Sequence, residues 1–214
     1  MKLPNFKQEK KIFQLYNLPI IAVDEAGRGP LAGPVTAGAI LIKNPYFKAF
    51  KPPLKIRDSK KLSAHQRQIL FLWITQQENL KFSYANVEPK TIDRINIRNA
   101  TLLAMARAIK KLNVPNYILV IDGKDKIIKL DSKIKQFTFI KGDEKLISIS
   151  LASIVAKVNR DELMIKLSKR YPQYLFENHK GYGTKVHYQK IREYGILEIH
   201  RKSFLKNLDN KYFN

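Results

Sequence analysis

Ile20-Ile21-Ala22-Val23-Asp24-Glu25 and Tyr117-Ile118-Leu119-Val120-Ile121-Asp122 share one pattern, an apolar run rich in branched residues that ends in an acid. Such a run, bounded by turn residues, reads as a strand buried on both faces, inside a sheet and not at its edge. If the two strands lie side by side and parallel, their carboxylates meet at one end of the sheet, where open α/β sheets hold ligands. Three carboxylates gathered there would repel one another unless a cation neutralised them, so the pair of strands predicts a divalent metal site.

Outward from these strands the chain alternates between the two periodicities. Residues 26–34 carry Gly27, Gly29 and Gly33 with Pro30 and Pro34, which exclude a long helix, so residues 35–42 are expected to return as the second arm of a wide β-hairpin. Ser63 is placed to cap a helix over 64–77. A third strand over 82–87 precedes a helix over 91–112, on which Ile95, Leu102, Leu103, Met105, Ala106 and Ile109 recur at helical spacing. A fifth strand over 136–140 follows the second acid-ended one and leads into Lys141-Gly142-Asp143-Glu144 and a long helix over 145–169. The expected fold is α/β, a mixed five-stranded sheet flanked by helices. Residues 1–19 read as a polar N-terminal arm, 20–170 as the core and 171–214 as a C-terminal helical segment packed on it. The tail from 206 to 214 reads as a frayed end, with a docking peptide as the alternative.

Composition narrows the partners. At 214 residues and 44% hydrophobic, the chain fits one globular domain able to bury a sizeable core, and a monomer suffices. Residues 1–11 are charged and lack the apolar stretch of a secretory signal, and no segment is long enough to span a membrane, so a cytoplasmic protein without a membrane partner is expected. The absence of cysteine excludes disulfides, thiol chemistry and the usual structural zinc sites, leaving carboxylates as metal ligands. Forty Lys and Arg against 18 Asp and Glu give a net charge of +22, which calls for a polyanion. A lysine-rich proteome or a purely architectural nucleic-acid-binding protein would produce the same excess, so the acids must decide between binding and chemistry.

Gly27, Gly29 and Gly33 after a strand invite a dinucleotide-binding reading, but their spacing is Gly-x-Gly-x-x-x-Gly, and Asp24 and Glu25 would repel a pyrophosphate. The glycines instead let backbone approach a ligand closely, with Arg28 supplying a fork of donors. Asp24, Glu25, Asp122 and Asp143 are the candidate ligands. Singly, each has a plainer role in a turn, at a solvated edge or as a helix cap. Together, in so basic a chain, they favour two Mg²⁺ or Mn²⁺ ions, which about 4 Å apart can activate a water and stabilise the leaving oxygen of a phosphodiester. Asp161 is the rival fourth acid, but it lies inside the long helix beside Arg160 and reads as half of a helix-surface pair. His179, His187 and His200 are too scattered to suggest zinc, and the last two read as packing or phosphate contacts.

Asp24-Glu25-Ala26-Gly27-Arg28-Gly29-Pro30-Leu31-Ala32-Gly33-Pro34-Val35 resembles the signature of the bacterial ribonuclease HII family. Further matches follow in order: Asp58-Ser59-Lys60-Lys61-Leu62, Ile121-Asp122-Gly123, Lys141-Gly142-Asp143, Ala152-Ser153-Ile154-Val155-Ala156-Lys157-Val158 with Arg160-Asp161, Lys180-Gly181-Tyr182-Gly183-Thr184 and His200-Arg201-Lys202-Ser203-Phe204. The related type HIII enzymes carry a lysine-containing glycine motif, which this chain lacks. The resemblance implies a ribonuclease H-like fold and an endonuclease that cuts the RNA strand of RNA/DNA hybrids and nicks DNA duplexes 5′ to a single ribonucleotide. It makes Asp24, Glu25, Asp122 and Asp143 the holders of two Mn²⁺ or Mg²⁺ ions, and 5′-phosphate and 3′-hydroxyl ends the products. Gly27, Arg28 and Gly29 become the sensor of the ribose 2′-hydroxyl, and Tyr182 the platform for the sugar at the RNA–DNA junction. Ser59, Lys60, Lys157 and Arg201 are implied phosphate contacts.

Overall fold

The computed structural model describes residues 3–46, 50–56, 59–128 and 130–205. Asp58 and the tail from residue 206 onward therefore lie outside the described residues. In chain order the elements are α1 (Lys7–Tyr16), β1 (Ile20–Ala26), β2 (Val35–Ile42), α2 (Ala64–Thr75), β3 (Leu80–Val87), α3 (Pro89–Leu112), β4 (Ile118–Asp122), β5 (Gln136–Phe139), α4 (Ile147–Arg170), α5 (Phe176–His179) and α6 (Lys185–Tyr194). The five strands form one sheet in the order β3-β2-β1-β4-β5. β2 runs antiparallel to both β1 and β3, whereas β1, β4 and β5 are mutually parallel. β1 and β4, the two acid-ended strands, are thus neighbours in the middle of a mixed sheet.

Their continuous apolar character has the expected cause. Alternate side chains leave opposite faces of a strand, and both faces are covered. Ile21, Val23, Leu119 and Ile121 join Ala104, Met105 and Ala108 of α3 in one core. Ile20, Ala22, Ile118 and Val120 point the other way and pack with Ile149 of α4 and Ile12 of α1. Farther along that same face, Ile40 and Ile42 of β2 pack with Leu151, Ile154 and Val155 of α4 and Leu70 of α2. The C-terminal elements close over the end of α4, where Tyr174, Phe176 and Ile191 pack with Met164, Leu31 and Ala32.

Two elements differ from the sequence expectation. Residues 7–16 form a helix and not merely a polar arm, because Ile12, Phe13 and Tyr16 share a face that packs against the core. On that helix Glu9 is fully buried and accepts the Ser148 backbone N–H at 2.9 Å, capping the start of α4 from 139 residues away. The second difference is a break in α3 at Asn96, whose φ of 62° and ψ of 165° are not helical. The Asn96 side chain accepts the Asn99 N–H at 3.0 Å, so the helix restarts from a side-chain cap within what reads as one periodic stretch. Ser63 caps α2 as its residue type predicts, with Gln66 completing a capping box.

Candidate active site

Parallel pairing sets Ile20 beside Ile118 and Val23 beside Ile121, so Asp24 and Asp122 leave the sheet together at one end. Strand alternation turns both toward α4 and leaves Glu25 on the α3 side of the same edge. Asp122 Oδ1 accepts the Gly142 N–H at 2.7 Å, which ties the turn holding Asp143 to the end of β4. Asp143 follows β5 and precedes α4, and its own carbonyl accepts the Ser150 hydroxyl at 2.6 Å. The four acids named from sequence therefore come from three places in the chain to one end of the sheet.

Their electrostatics are unfavourable without a cation. Asp24 is buried, and its carboxyl accepts the Glu25 N–H at 2.7 Å and the Ser153 hydroxyl. Burial first, then repulsion from Glu25 and Asp122, holds that carboxyl well above the usual carboxylate range. Burial also raises Glu25, opposed by the Arg28 guanidinium 3.4 Å away. Lys60 approaches Asp143 at 3.8 Å from a side chain that is 81% exposed. Among the described residues, no group of three or more His, Asp or Glu side chains is arranged to hold a metal ion. The donor set nonetheless fits Mg²⁺ or Mn²⁺, hard cations that bind through one or two carboxylates each and complete their shells with water and substrate oxygens.

The acids open into a cleft of ≈ 210 Å³ lined by Asp24, Glu25 and Asp122, the loop residues Gly27, Arg28 and Gly29, and Ser59, Lys60, Lys157 and Tyr182. A larger apolar groove at Ile95, Leu102, Ile127 and Ile128 lacks titratable groups. Ser59 is buried, with its hydroxyl bonded to that of Ser153 at 2.8 Å. Lys157 pairs with Asp161 at 2.7 Å, and Arg67 reaches the same carboxylate at 3.6 Å. Asp161 is thus engaged in a pair along α4, as its position implies, but with Lys157 and Arg67 as partners and not Arg160.

Arg201 requires a correction. The resemblance implies a phosphate contact, yet its guanidinium is fully buried and donates to the carbonyls of Gly33 at 3.0 Å, Arg28 at 2.8 Å and Gly27 at 2.6 Å. A side chain so enclosed, with each of its three nitrogens bonded to backbone, is not available to a duplex. Arg160, read from sequence as a surface neighbour of Asp161, is buried as well and lies against Gly27, where an added Cβ would stand 1.9 Å from its Nε. Gly27 also has φ +86°, so both conformation and space demand glycine there.

The histidines, distant in sequence, meet beneath Tyr182. Leu197 N–H donates to His200 Nδ1 at 2.9 Å, so His200 carries its proton on Nε2 and donates to His187 Nε2 at 3.1 Å. His187 Nδ1 is then the donor to the Tyr182 carbonyl at 2.9 Å. His179 stacks on His187 with ring centroids 4.4 Å apart. Each ring thus holds the loop in its neutral form. Burial lowers His187 to about 3 and His200 to about 4. The unfolded chain binds these protons near pH 6.5 and the folded one does not, so stability should fall as pH drops from about 6.5 to about 4. Thermal unfolding across that window should show a loss on the order of 3 kcal/mol from His200 alone. Because the raised carboxyls of Asp24 and Glu25 act in the opposite sense, the measurement is the difference between wild type and His200→Gln, and a difference in melting temperature that does not change with pH in this range would contradict the neutral network.

Known proteins share the sequence pattern and the fold of this chain. The sequence model of the Ribonuclease HII family matches residues 21–207. The ribonuclease HII of Caldicellulosiruptor saccharolyticus is 50% identical over 189 residues, covering 88% of each chain. Among solved structures, ribonuclease H2 from Pyrococcus horikoshii OT3 superimposes with a TM-score of 0.71 at 24% identity, covering 92% of this chain and all of its own. Bst-RNase HIII in complex with Mn²⁺ gives 0.65 at 19% identity, over 92% of this chain and 72% of its own. A mixed sheet of this order, with a family match and half of all positions identical over most of the length, places the chain in the ribonuclease HII family, as an endonuclease of the ribonuclease H type.

Proposed function

We propose that this enzyme hydrolyses the RNA strand of RNA/DNA hybrids and also nicks duplex DNA on the 5′ side of a single embedded ribonucleotide, using two divalent metal ions and leaving 5′-phosphate and 3′-hydroxyl ends. The observation that carries this reading is the shared cleft, in which Asp24, Glu25 and Asp122 stand beside the Gly27-Arg28-Gly29 loop and Tyr182. Asp24, Glu25, Asp122 and Asp143 would hold Mg²⁺ or Mn²⁺, and the Mn²⁺ bound by Bst-RNase HIII supports that choice. When bound, such ions supply Lewis-acid activation of water and stabilisation of the leaving 3′-oxygen.

The rest is work for the protein's own groups. The carbonyls of Gly27 and Arg28 point inward to Arg201. In a trans peptide the N–H opposes the C=O, so the amides of Arg28 and Gly29 point away from Arg201. There they can donate to the 2′-hydroxyl or the phosphate beside it, which marks a ribonucleotide without making that hydroxyl the nucleophile. Tyr182, 42% exposed, offers its ring to the adjoining sugar. The net charge of +22 attracts the duplex, and Lys60 and Lys157 at the cleft contribute locally.

A DNA duplex with one internal ribonucleotide, incubated with Mg²⁺, Mn²⁺ or EDTA, tests the proposal. A nick 5′ to the ribonucleotide is expected with either metal and none with EDTA. If a continuous hybrid is cut while the single ribonucleotide is left intact, the enzyme instead needs several consecutive ribonucleotides.

A further inference from the structure

Two positive charges are sealed under the glycine loop. Arg160 of α4 donates from Nε to the Pro34 carbonyl at 3.1 Å and from Nη2 to Ala32 at 3.3 Å. Arg201, beyond α6, takes the carbonyls of Gly27, Arg28 and Gly33. Both side chains have no exposure, and among the described residues neither makes a direct ion pair; Asp161 favours the charge of Arg160, and Asp93 that of Arg201, only from farther off. Burial, reinforced by Arg160, lowers Arg201 to about 9, so it remains charged at neutral pH. Arg160 Nη1 has no hydrogen-bond partner, and the Tyr182 ring centroid lies 5.8 Å from its Cζ.

Burying a cation without a directly paired counter-ion is unfavourable, and apolar side chains of similar volume would fill the same space more cheaply. What apolar groups could not do is aim carbonyls. A guanidinium is a rigid planar fork, and its directions dictate those of the peptides it binds. Because each inward carbonyl turns the next amide outward, Arg201 presets the direction of the Arg28 and Gly29 N–H groups before substrate arrives. Arg160 sets the depth of Gly27, which rests on its Nε, and the position of the Tyr182 ring.

We propose that Arg160 and Arg201 are positioning residues for ribose selection: Arg201 orients the loop amides, and Arg160 couples the loop to Tyr182. This rests on the proposed reading of the loop as the 2′-hydroxyl sensor. The conservative changes Arg201→Lys and Arg160→Lys keep the charge and lose the fork. On the single-ribonucleotide duplex, each should lower kcat by about 30-fold or more with KM within about threefold, measured below the melting temperature. Unchanged kcat in a folded Arg160→Lys or Arg201→Lys enzyme would overturn the assignment, whatever happens to stability. Coupling is tested separately with Arg160→Met, Tyr182→Ala and the double variant. The double variant should be within about threefold of the worse single, whereas losses that multiply would show that Arg160 acts independently of Tyr182. The same variants assayed on a continuous RNA/DNA hybrid keep the outcomes distinguishable. If wild type cuts only the hybrid, the single-ribonucleotide activity is wrong, and kcat of the lysine variants on the hybrid still decides the role of the arginines.

Discussion

Asp24→Asn should reduce cleavage of a ribonucleotide-containing duplex by more than about a thousandfold while leaving duplex binding in EDTA close to wild type. The substitution is nearly isosteric, and the amide oxygen can still accept the Glu25 N–H that holds the carboxylate now. What disappears is one negative charge from the set that would hold the metal ions. The same change should raise the melting temperature in EDTA, because Asp24 is buried and is repelled by Glu25 and Asp122 when no cation is bound. Loss of activity with a gain in metal-free stability separates a ligand role from simple unfolding. Full activity in this variant would remove Asp24 from the metal assignment.

Gly38→Ala is expected to destabilise the fold strongly, because the added methyl group has no room. Gly38 pairs with Asp24 across the β1–β2 hairpin and sits directly beneath α4. An added Cβ would stand 2.3 Å from the Ala152 carbonyl oxygen and 2.7 Å from the Ala156 nitrogen. Both are backbone atoms of a packed helix and cannot swing aside as a flexible side chain would. The helix must lift or the sheet must bend, at a cost of about 3 kcal/mol or more. For a chain of this size, that lowers the melting temperature by roughly 10 °C. Since α4 carries Ser153 against Asp24, activity at low temperature should fall as well. A Gly38→Ala protein melting within about 2 °C of wild type would show that α4 rides higher on the sheet than described.

The parts of the fold that were legible in the sequence are those written in local periodicity. The runs of β1 and β4 read as two-faced strands because both faces are buried, one under α3 and the other under α4. Residue type announced the Ser63 cap and the loop at Gly27. α1 is not legible in the sequence, since its few apolar residues are diluted by lysines, and the break in α3 is hidden because the cap at Asn96 leaves the apolar spacing intact. At the site, Asp24, Glu25 and Asp122 could be picked out because an acid ending a buried strand is conspicuous. Asp143, between a strand and a helix, is less conspicuous and rests partly on the family resemblance, since nothing adjacent to it in sequence points to Asp122; the link is a hydrogen bond from Gly142 across 20 residues.

Arg160, Arg201 and the histidines mark the boundary of what a linear reading can reach. An arginine on a helix beside an aspartate has every local sign of a solvated pair, and whether its head lies in water or under a loop depends on what packs above it. For Arg160 that cover is the loop 126 residues earlier, and for Arg201 it is the same loop up to 174 residues earlier. Strands and their terminal acids follow from side-chain alternation along a few consecutive residues, so the chain alone was enough to place the acids and the sheet. Which donors are left to aim the glycine loop, and which tautomers hold Tyr182, follow from desolvation and hydrogen-bond geometry between distant segments, and those quantities exist only once the chain has closed on itself.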